Sequence, residues 1–214
     1  MALSDLPQQA YDAAKQVLRT GTYALALPCL LHIKQKPAKN VYSRFGKAID
    51  EVVLHGTESK ATSAQSVDYL ASKNSASTSI HYFIGREFGE IYASVPEDKA
   101  AGHAGNPKRI KGIQDHNFRS IGIELYPWDI SLFHGDKTKL DFTEWQYAAL
   151  AQLCYDICRR RKLKPSQIVG HEAINAVQRG DPRGFDWEKF SRLLEDLSKL
   201  LAQRLGADYA LTEG

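Results

Sequence analysis

The chain reads as an α/β protein, a sheet covered by helices, on three observations. Short apolar runs of strand length recur between residues 49 and 169. Two longer stretches repeat their apolar residues at helical spacing, each behind a capping residue, Thr143 and Asp186. Strands and helices also alternate along the chain rather than segregating, which places helices against the faces of one sheet.

Each element has a local reason. Near the start, Asp5 and Gln8 have capping-box spacing, and Ala10, Tyr11, Ala14, Val17 and Leu18 share one helix face up to about Gly21. Ala26 to His32 is apolar but short and broken by Pro28, which suits a packed edge. Residues 1–47 are therefore expected to form an N-terminal helical extension. Ile49 to Leu54, interrupted by Asp50 and Glu51, reads as a buried strand ending at His55, where Gly56-Thr57 turns it into a loop. The small polar residues Ser72 to Ser79 read as a loop. His81–Ile84 and Gly89–Val95 read as a hairpin joined by Arg86-Glu87-Phe88-Gly89. Ser120 to Leu125 is another strand, with Glu124 its only charge, and Tyr126 to Asp141, carrying Pro127, Trp128 and Phe133, is placed to wall a cleft.

The second half is more helical. Thr143 and Gln146 form a capping box, and Tyr147, Leu150, Cys154, Ile157 and Cys158 share the face behind it. Arg159-Arg160-Arg161-Lys162 closes that helix, where cations suit the free carbonyls. Gln167–Val169 reads as a strand, Asn175 to Phe185 as a loop. Asp186 caps a last helix whose Trp187, Phe190, Leu193, Leu194, Leu197, Leu200 and Leu201 form a core stripe. The main domain is set at 48–205, with a tail, 206–214, expected to fray.

Composition bounds the function. With 214 residues, 43% hydrophobic and 25% charged, the chain fits one substantial globular domain. A net charge of +3 does not indicate nucleic-acid binding, though it suits an anionic polymer better than an acidic surface would. Lys108-Arg109 with Lys111 could edge a groove for such a polymer. Three cysteines, Cys29, Cys154 and Cys158, make an odd count, and the last two are best read as small core residues of a reduced protein. No segment is apolar and long enough to cross a membrane, and residues 1–25 lack the pattern of a secretory signal, so the expected location at synthesis is cytoplasmic.

The chemistry gathers in three distant pieces: Val53-Leu54-His55-Gly56-Thr57, Ile123-Glu124-Leu125, and Val169-Gly170-His171 followed by Asp181-Pro182. Two imidazoles and two carboxylates meet the needs of a catalytic zinc, which takes three nitrogen or oxygen ligands, leaves one position for water and works beside a general base. Taken singly, each has a blander explanation. A histidine after an apolar run is more often structural, Glu124 would pair with Arg119, and Asp181-Pro182 opens ordinary turns. Asp181 lies ten positions beyond His171, so the intervening loop must fold back for the two to meet.

The segments VLHGT, NFRSIGIEL, AGHAG (residues 101–105) and GHEAI…RGDPRGFDW together resemble the zinc-dependent N-acetylmuramoyl-L-alanine amidases, the superfamily of muropeptide-recycling amidases, phage endolysins and peptidoglycan recognition proteins. The resemblance spans roughly residues 48 to 200, in order. It implies a mixed central β-sheet with helices on its faces and zinc in a cleft at one side. His55, His171 and Asp181 would be the zinc ligands and Glu124 the catalytic carboxylate. The segment before Asp181 departs from the family pattern, and Arg179 stands where many members carry a lysine, so an oxyanion-stabilising role falls to a guanidinium. His103 and His81 match groove positions expected to contact substrate. The implied activity is hydrolysis of the bond between N-acetylmuramic acid and L-alanine, with peptidoglycan or a muropeptide as partner and wall lysis after release by another system as the favoured setting. Recycling of anhydromuramyl-peptides and a non-catalytic peptidoglycan-binding module are the alternatives. A zinc protease is disfavoured, since His171-Glu172 begins a His-Glu-x-x-His motif without completing it.

Overall fold

The computed structural model describes residues 33–58, 61–87, 90–105, 116–127, 141–175 and 179–213. The expected helix near residues 5–21, Cys29, the Lys108–Lys111 group, Trp128 and Phe133 lie outside the described residues. In chain order the elements are β1 (Lys34–Gln35), β2 (Glu51–Gly56), α1 (Ser63–Ala71), β3 (Tyr82–Ile84), β4 (Ile91–Ala93), α2 (His116–Arg119), β5 (Ser120–Leu125), α3 (Glu144–Arg161), β6 (Ile168–Gly170), α4 (His171–Ile174) and α5 (Trp187–Leu205).

The six strands form one sheet in the order β1-β4-β3-β5-β2-β6. Only the β3–β4 hairpin is antiparallel, so the sheet is mixed. Its centre is buried on both faces. Val52, Leu54, Ile121, Ile123 and Leu125 point to one side, where they pack with Leu150, Leu153 and Ile157 of α3 and with Phe190, Leu194 and Leu197 of α5. Since side chains alternate along a strand, Ser120, Gly122 and Glu124 of β5 and Val53 and His55 of β2 face the other way. On that second side Val67 of α1 packs with Ile80, Phe83 and Tyr126.

The two long helices start as their caps require. The Thr143 side chain accepts from the Gln146 N–H with the reciprocal bond also present, and the Asp186 side chain accepts from the Lys189 N–H. Gln146 does a second job, because its Nε2 donates to the Tyr126 carbonyl at 2.5 Å and so satisfies backbone beyond the end of β5. Helix α3 is buried along most of its length against the sheet and α5, and Cys154 and Cys158 are buried free thiols. Helix α1 follows its own capping box, Thr62 with Gln65, a pattern the sequence reading passed over. No helix among the described residues is long and apolar enough to cross a membrane.

Two boundary expectations change. The described part of residues 1–47 is not a separate helical piece, because Lys34–Gln35 pairs with β4 and Tyr42 bridges Ala100. Arg44 goes further still, donating to the carbonyls of Glu97, Phe118 and Ser120 from a buried position. The described residues beyond 206 are held by contacts to the domain. Residues Ala207–Tyr209 form a turn of 3-10 helix, the Tyr155 hydroxyl donates to the Tyr209 carbonyl at 2.6 Å, and the Leu211 N–H donates to Ser198 at 2.7 Å.

Candidate metal centre

Strands β5, β2 and β6 are adjacent and parallel, so their carboxyl ends emerge together, the usual ligand edge of such sheets. His55 sits opposite Glu124 in register, and Leu54 sits opposite Gly170, the residue before His171. Pairing alone therefore brings His55, Glu124 and His171 to one edge. Asp181 is returned to them by the loop after α4, where the Glu172 N–H donates to the Asp181 carbonyl at 3.1 Å. Gly56 permits this approach: a Cβ there would sit 3.2 Å from Pro182 Cα, closer than side chains normally tolerate.

The resulting cluster is tight. Nδ1 of His55 lies 3.0 Å from Nδ1 of His171, and Asp181 Oδ2 lies 3.1 Å from His171 Nδ1 and 3.4 Å from His55 Nδ1. Bonds of about 2.0–2.1 Å to a tetrahedral zinc would set ligand atoms about 3.3–3.4 Å apart, close to these edges. All three residues are buried. His171 Nε2 is buried with no hydrogen-bond partner among the described residues, so that ring's polar engagement is with this cluster alone. Burial first, opposed by the neighbouring Asp181 carboxylate, holds the His55 imidazole down to about 4, which keeps it neutral as a ligand must be. Burial works to raise the Asp181 carboxyl, but the His171 and His55 rings packed against it outweigh that and hold it far below the usual carboxylate range. Two imidazoles and one carboxylate, all converging, are a donor set that fits a divalent metal.

Beside the cluster lies a cleft of about 160 Å³ lined by His55, His103, Glu124, His171, Arg179 and Asp181. Glu124 is raised to about 7, chiefly by burial, with Asp181 adding to the rise and Thr57 and Arg179 opposing it. The Thr57 hydroxyl donates to Glu124 Oε1 at 2.8 Å, a contact the sequence reading did not anticipate. The bland alternative for Glu124 fails, since Arg119 pairs with Asp50 at 2.6 Å. Arg179 is exposed at the rim.

His81 and His103, the two expected groove residues, are both buried. His81 is fully buried. Its Nδ1 accepts from the Gly122 N–H at 3.0 Å, and Nε2 lies 2.9 Å from Arg44 Nη2 and 3.1 Å from the Lys99 carbonyl, so the ring ties neighbouring segments together. His103 does edge the cleft, but both ring nitrogens are engaged, with His55 Nε2 at 2.9 Å and Ser120 Oγ at 3.0 Å. Its polar atoms are turned toward the protein.

The basic run closing α3 makes specific side-chain contacts. Arg160 and Arg161 pair with Glu97, and Arg159 stacks over Tyr209.

Comparison with known proteins agrees with this geometry. The profile of the N-acetylmuramoyl-L-alanine amidase family matches residues 45–184. The chain is 34% identical over 127 residues to the 1,6-anhydro-N-acetylmuramyl-L-alanine amidase AmpD of Citrobacter freundii, covering 59% of this chain and 62% of that one. It is 30% identical over 165 residues to the N-acetylmuramoyl-L-alanine amidase AmiD of Escherichia coli, covering 74% of this chain and 56% of that one. The chain thus spans between 56% and 62% of the length of these two relatives. The solved structure of the E. coli AmiD amidase with anhydro-N-acetylmuramic acid-L-Ala-D-γ-Glu-L-Lys superimposes with a TM-score of 0.52 at 26% identity, over 73% of this chain and 60% of that one.

Proposed function

The chain belongs to the N-acetylmuramoyl-L-alanine amidase family, and from that premise we propose that it is a zinc-dependent hydrolase of the amide bond between N-acetylmuramic acid and L-alanine. The observation that carries the proposal is the convergence of His55 Nδ1, His171 Nδ1 and Asp181 Oδ2 beside a carboxyl raised to about 7. A zinc ion held by His55, His171 and Asp181 would polarise the scissile carbonyl and acidify a water.

The chain's own groups supply the rest. Glu124 is close to half ionised at neutral pH, so it can take a proton from the attacking water and later give one to the departing amine. Thr57 occupies Oε1 and leaves Oε2 to carry that proton. Arg179, at the rim of the cleft, offsets the negative charge that develops on the carbonyl oxygen. Attack by water forms a new C–O bond, the C–N bond breaks, and the products are a lactyl carboxylic acid and a stem peptide beginning with L-alanine.

Soluble anhydromuramyl-peptides are the first substrate form to test, because the AmpD relative is named for it and the AmiD ligand is of that class. Intact wall is the second form to test. Purified protein, with zinc and after chelation, is incubated with soluble anhydromuramyl-peptides and separately with intact sacculi, and products are identified by mass spectrometry. Zinc-dependent release of free stem peptides is expected. No cleavage of either substrate by zinc-loaded protein would overturn the proposal. Glu124→Gln is expected to cut kcat about 10²- to 10⁴-fold while still binding zinc, and full activity in that variant would remove Glu124 from the role.

A further inference from the structure

The ring of His55 has two nitrogens, and only the one without a proton can hold a metal. A chain of hydrogen bonds decides which. The Ser120 hydroxyl lies against the His116 carbonyl, which can only accept, so the hydroxyl proton goes there. Ser120 Oγ is then left to accept from His103 Nε2, 3.0 Å away. With its proton on Nε2, His103 presents a bare Nδ1 to His55 Nε2 at 2.9 Å, so His55 donates from Nε2. Nδ1 of His55, the atom facing His171 and Asp181, is thereby the one with a free lone pair.

We propose that His103 and Ser120 are positioning residues that lock His55 in its metal-binding tautomer. The proposal rests on the reading of His55, His171 and Asp181 as a metal centre. The fold is built around this relay in three ways. Asn117 Oδ1 accepts from the backbone N–H of His103 at 2.9 Å and of Ala104 at 2.7 Å, which fixes the loop carrying the ring. Gly122 clears the space for it, since a Cβ there would lie 2.6 Å from His103 Cγ. Ser120, Gly122 and Glu124 alternate along one face of β5, so a single strand supplies the anchor of the relay, the room for its imidazole and the carboxyl at the cleft. Both His103 and Ser120 are buried, so the relay is shielded from water that would compete for its bonds. A second imidazole rather than a carboxylate behind the ligand leaves the inner ring neutral and adds no charge to the site.

The test is zinc affinity, measured by competition with a chromogenic chelator. The variants are His103→Leu, which fills the space without an acceptor, and His103→Asn, whose Oδ1 stands where His103 Nδ1 does. Loss of a partner behind a ligand typically weakens metal binding about 10- to 100-fold, so His103→Leu is expected to fall in that range and His103→Asn to recover most of the loss. Ser120→Ala should lie between them, because the far end of the relay is released. Thermal unfolding of the metal-free proteins separates this from general destabilisation: the leucine and asparagine variants must differ in affinity even at equal Tm. Long-range proton–nitrogen correlation spectra of the metal-free wild type should show the His55 proton on Nε2 at neutral pH. Equal zinc affinity in wild type and His103→Leu, or a His55 proton on Nδ1, would overturn the proposal while leaving the metal centre standing. A wild-type protein that binds no zinc, or an Asp181→Ala variant that binds it as well as wild type, would remove the metal centre itself and this proposal with it.

Discussion

Replacing Thr57 with valine keeps the volume of the side chain and removes the hydroxyl that donates to Glu124 Oε1 at 2.8 Å. That bond favours the ionised carboxylate, so its loss favours the neutral acid. A hydrogen bond to a charged group contributes about 1.5–3 kcal/mol, and about 1.4 kcal/mol corresponds to one pH unit. The Glu124 carboxyl, raised to about 7 in the wild type, is then expected to titrate about one to two pH units higher. At neutral pH its ionised fraction falls from near one half to between about a tenth and a hundredth, an activity loss of roughly 5- to 50-fold by simple titration. The loss should be recovered on raising the pH. Zinc would draw both profiles downward through its own charge, so the displacement between the two proteins is the quantity to read. The assay is the pH profile of kcat/KM on a soluble anhydromuramyl-peptide. An ascending limb at the same pH in both proteins, or a loss that persists equally at high pH, would refute the assignment of that limb to Glu124 and of its tuning to Thr57.

Further outcomes follow from other contacts. Glu97 is held at about 2, because bonds from Arg160, Tyr82 and Arg161 outweigh a burial that would raise it. A carboxyl depressed on folding stabilises the protein above its unfolded value of 4.5, and that contribution drains away as the pH falls from there toward 2. It amounts to about 2 kcal/mol once screening of the partly exposed arginines is allowed for, so Glu97→Gln should lower stability by about that much at neutral pH and flatten the acid dependence in urea titrations. Gly122→Ala forces a Cβ within 2.6 Å of His103 and 2.7 Å of Ile80. Overpacking of this kind costs about 1–3 kcal/mol, visible as a drop in Tm of roughly 2–10 °C, together with weaker zinc binding; an unchanged Tm would mean the ring moves freely. Asp181→Ala should abolish zinc binding and activity together, and zinc added back to chelated wild type should restore both.

The regular elements were legible because their signals are local. The capping boxes at Thr143 and the Asp186 cap, the leucine stripe behind Asp186 and the hairpin of residues 81–95 depend on neighbours within a turn or a short loop. The edge strand at Lys34–Gln35 and the docked tail were not legible, since two residues have no period and the tail is held by Tyr155 of α3 and Ser198 of α5. Within β5 the alternation of Ser120, Gly122 and Glu124 with Ile121, Ile123 and Leu125 was present in the sequence. It could have marked all three as sharing a face.

By itself the sequence determined the chemical inventory: which side chains carry lone pairs or protons, and that His55, Glu124, His171 and Asp181 stand at strand ends and loops where they are free to meet. Which atoms meet was decided only by the tertiary structure. Parallel pairing of β5, β2 and β6 sets His55 opposite Glu124, and the loop returning over Gly56 brings Asp181 to the two imidazoles. The same packing places His81 in the core and sets a ring nitrogen of His103 against His55. Spacing along a chain cannot distinguish a histidine that faces a cleft from one that backs a ligand, because that difference is a ring orientation imposed by contacts many residues away.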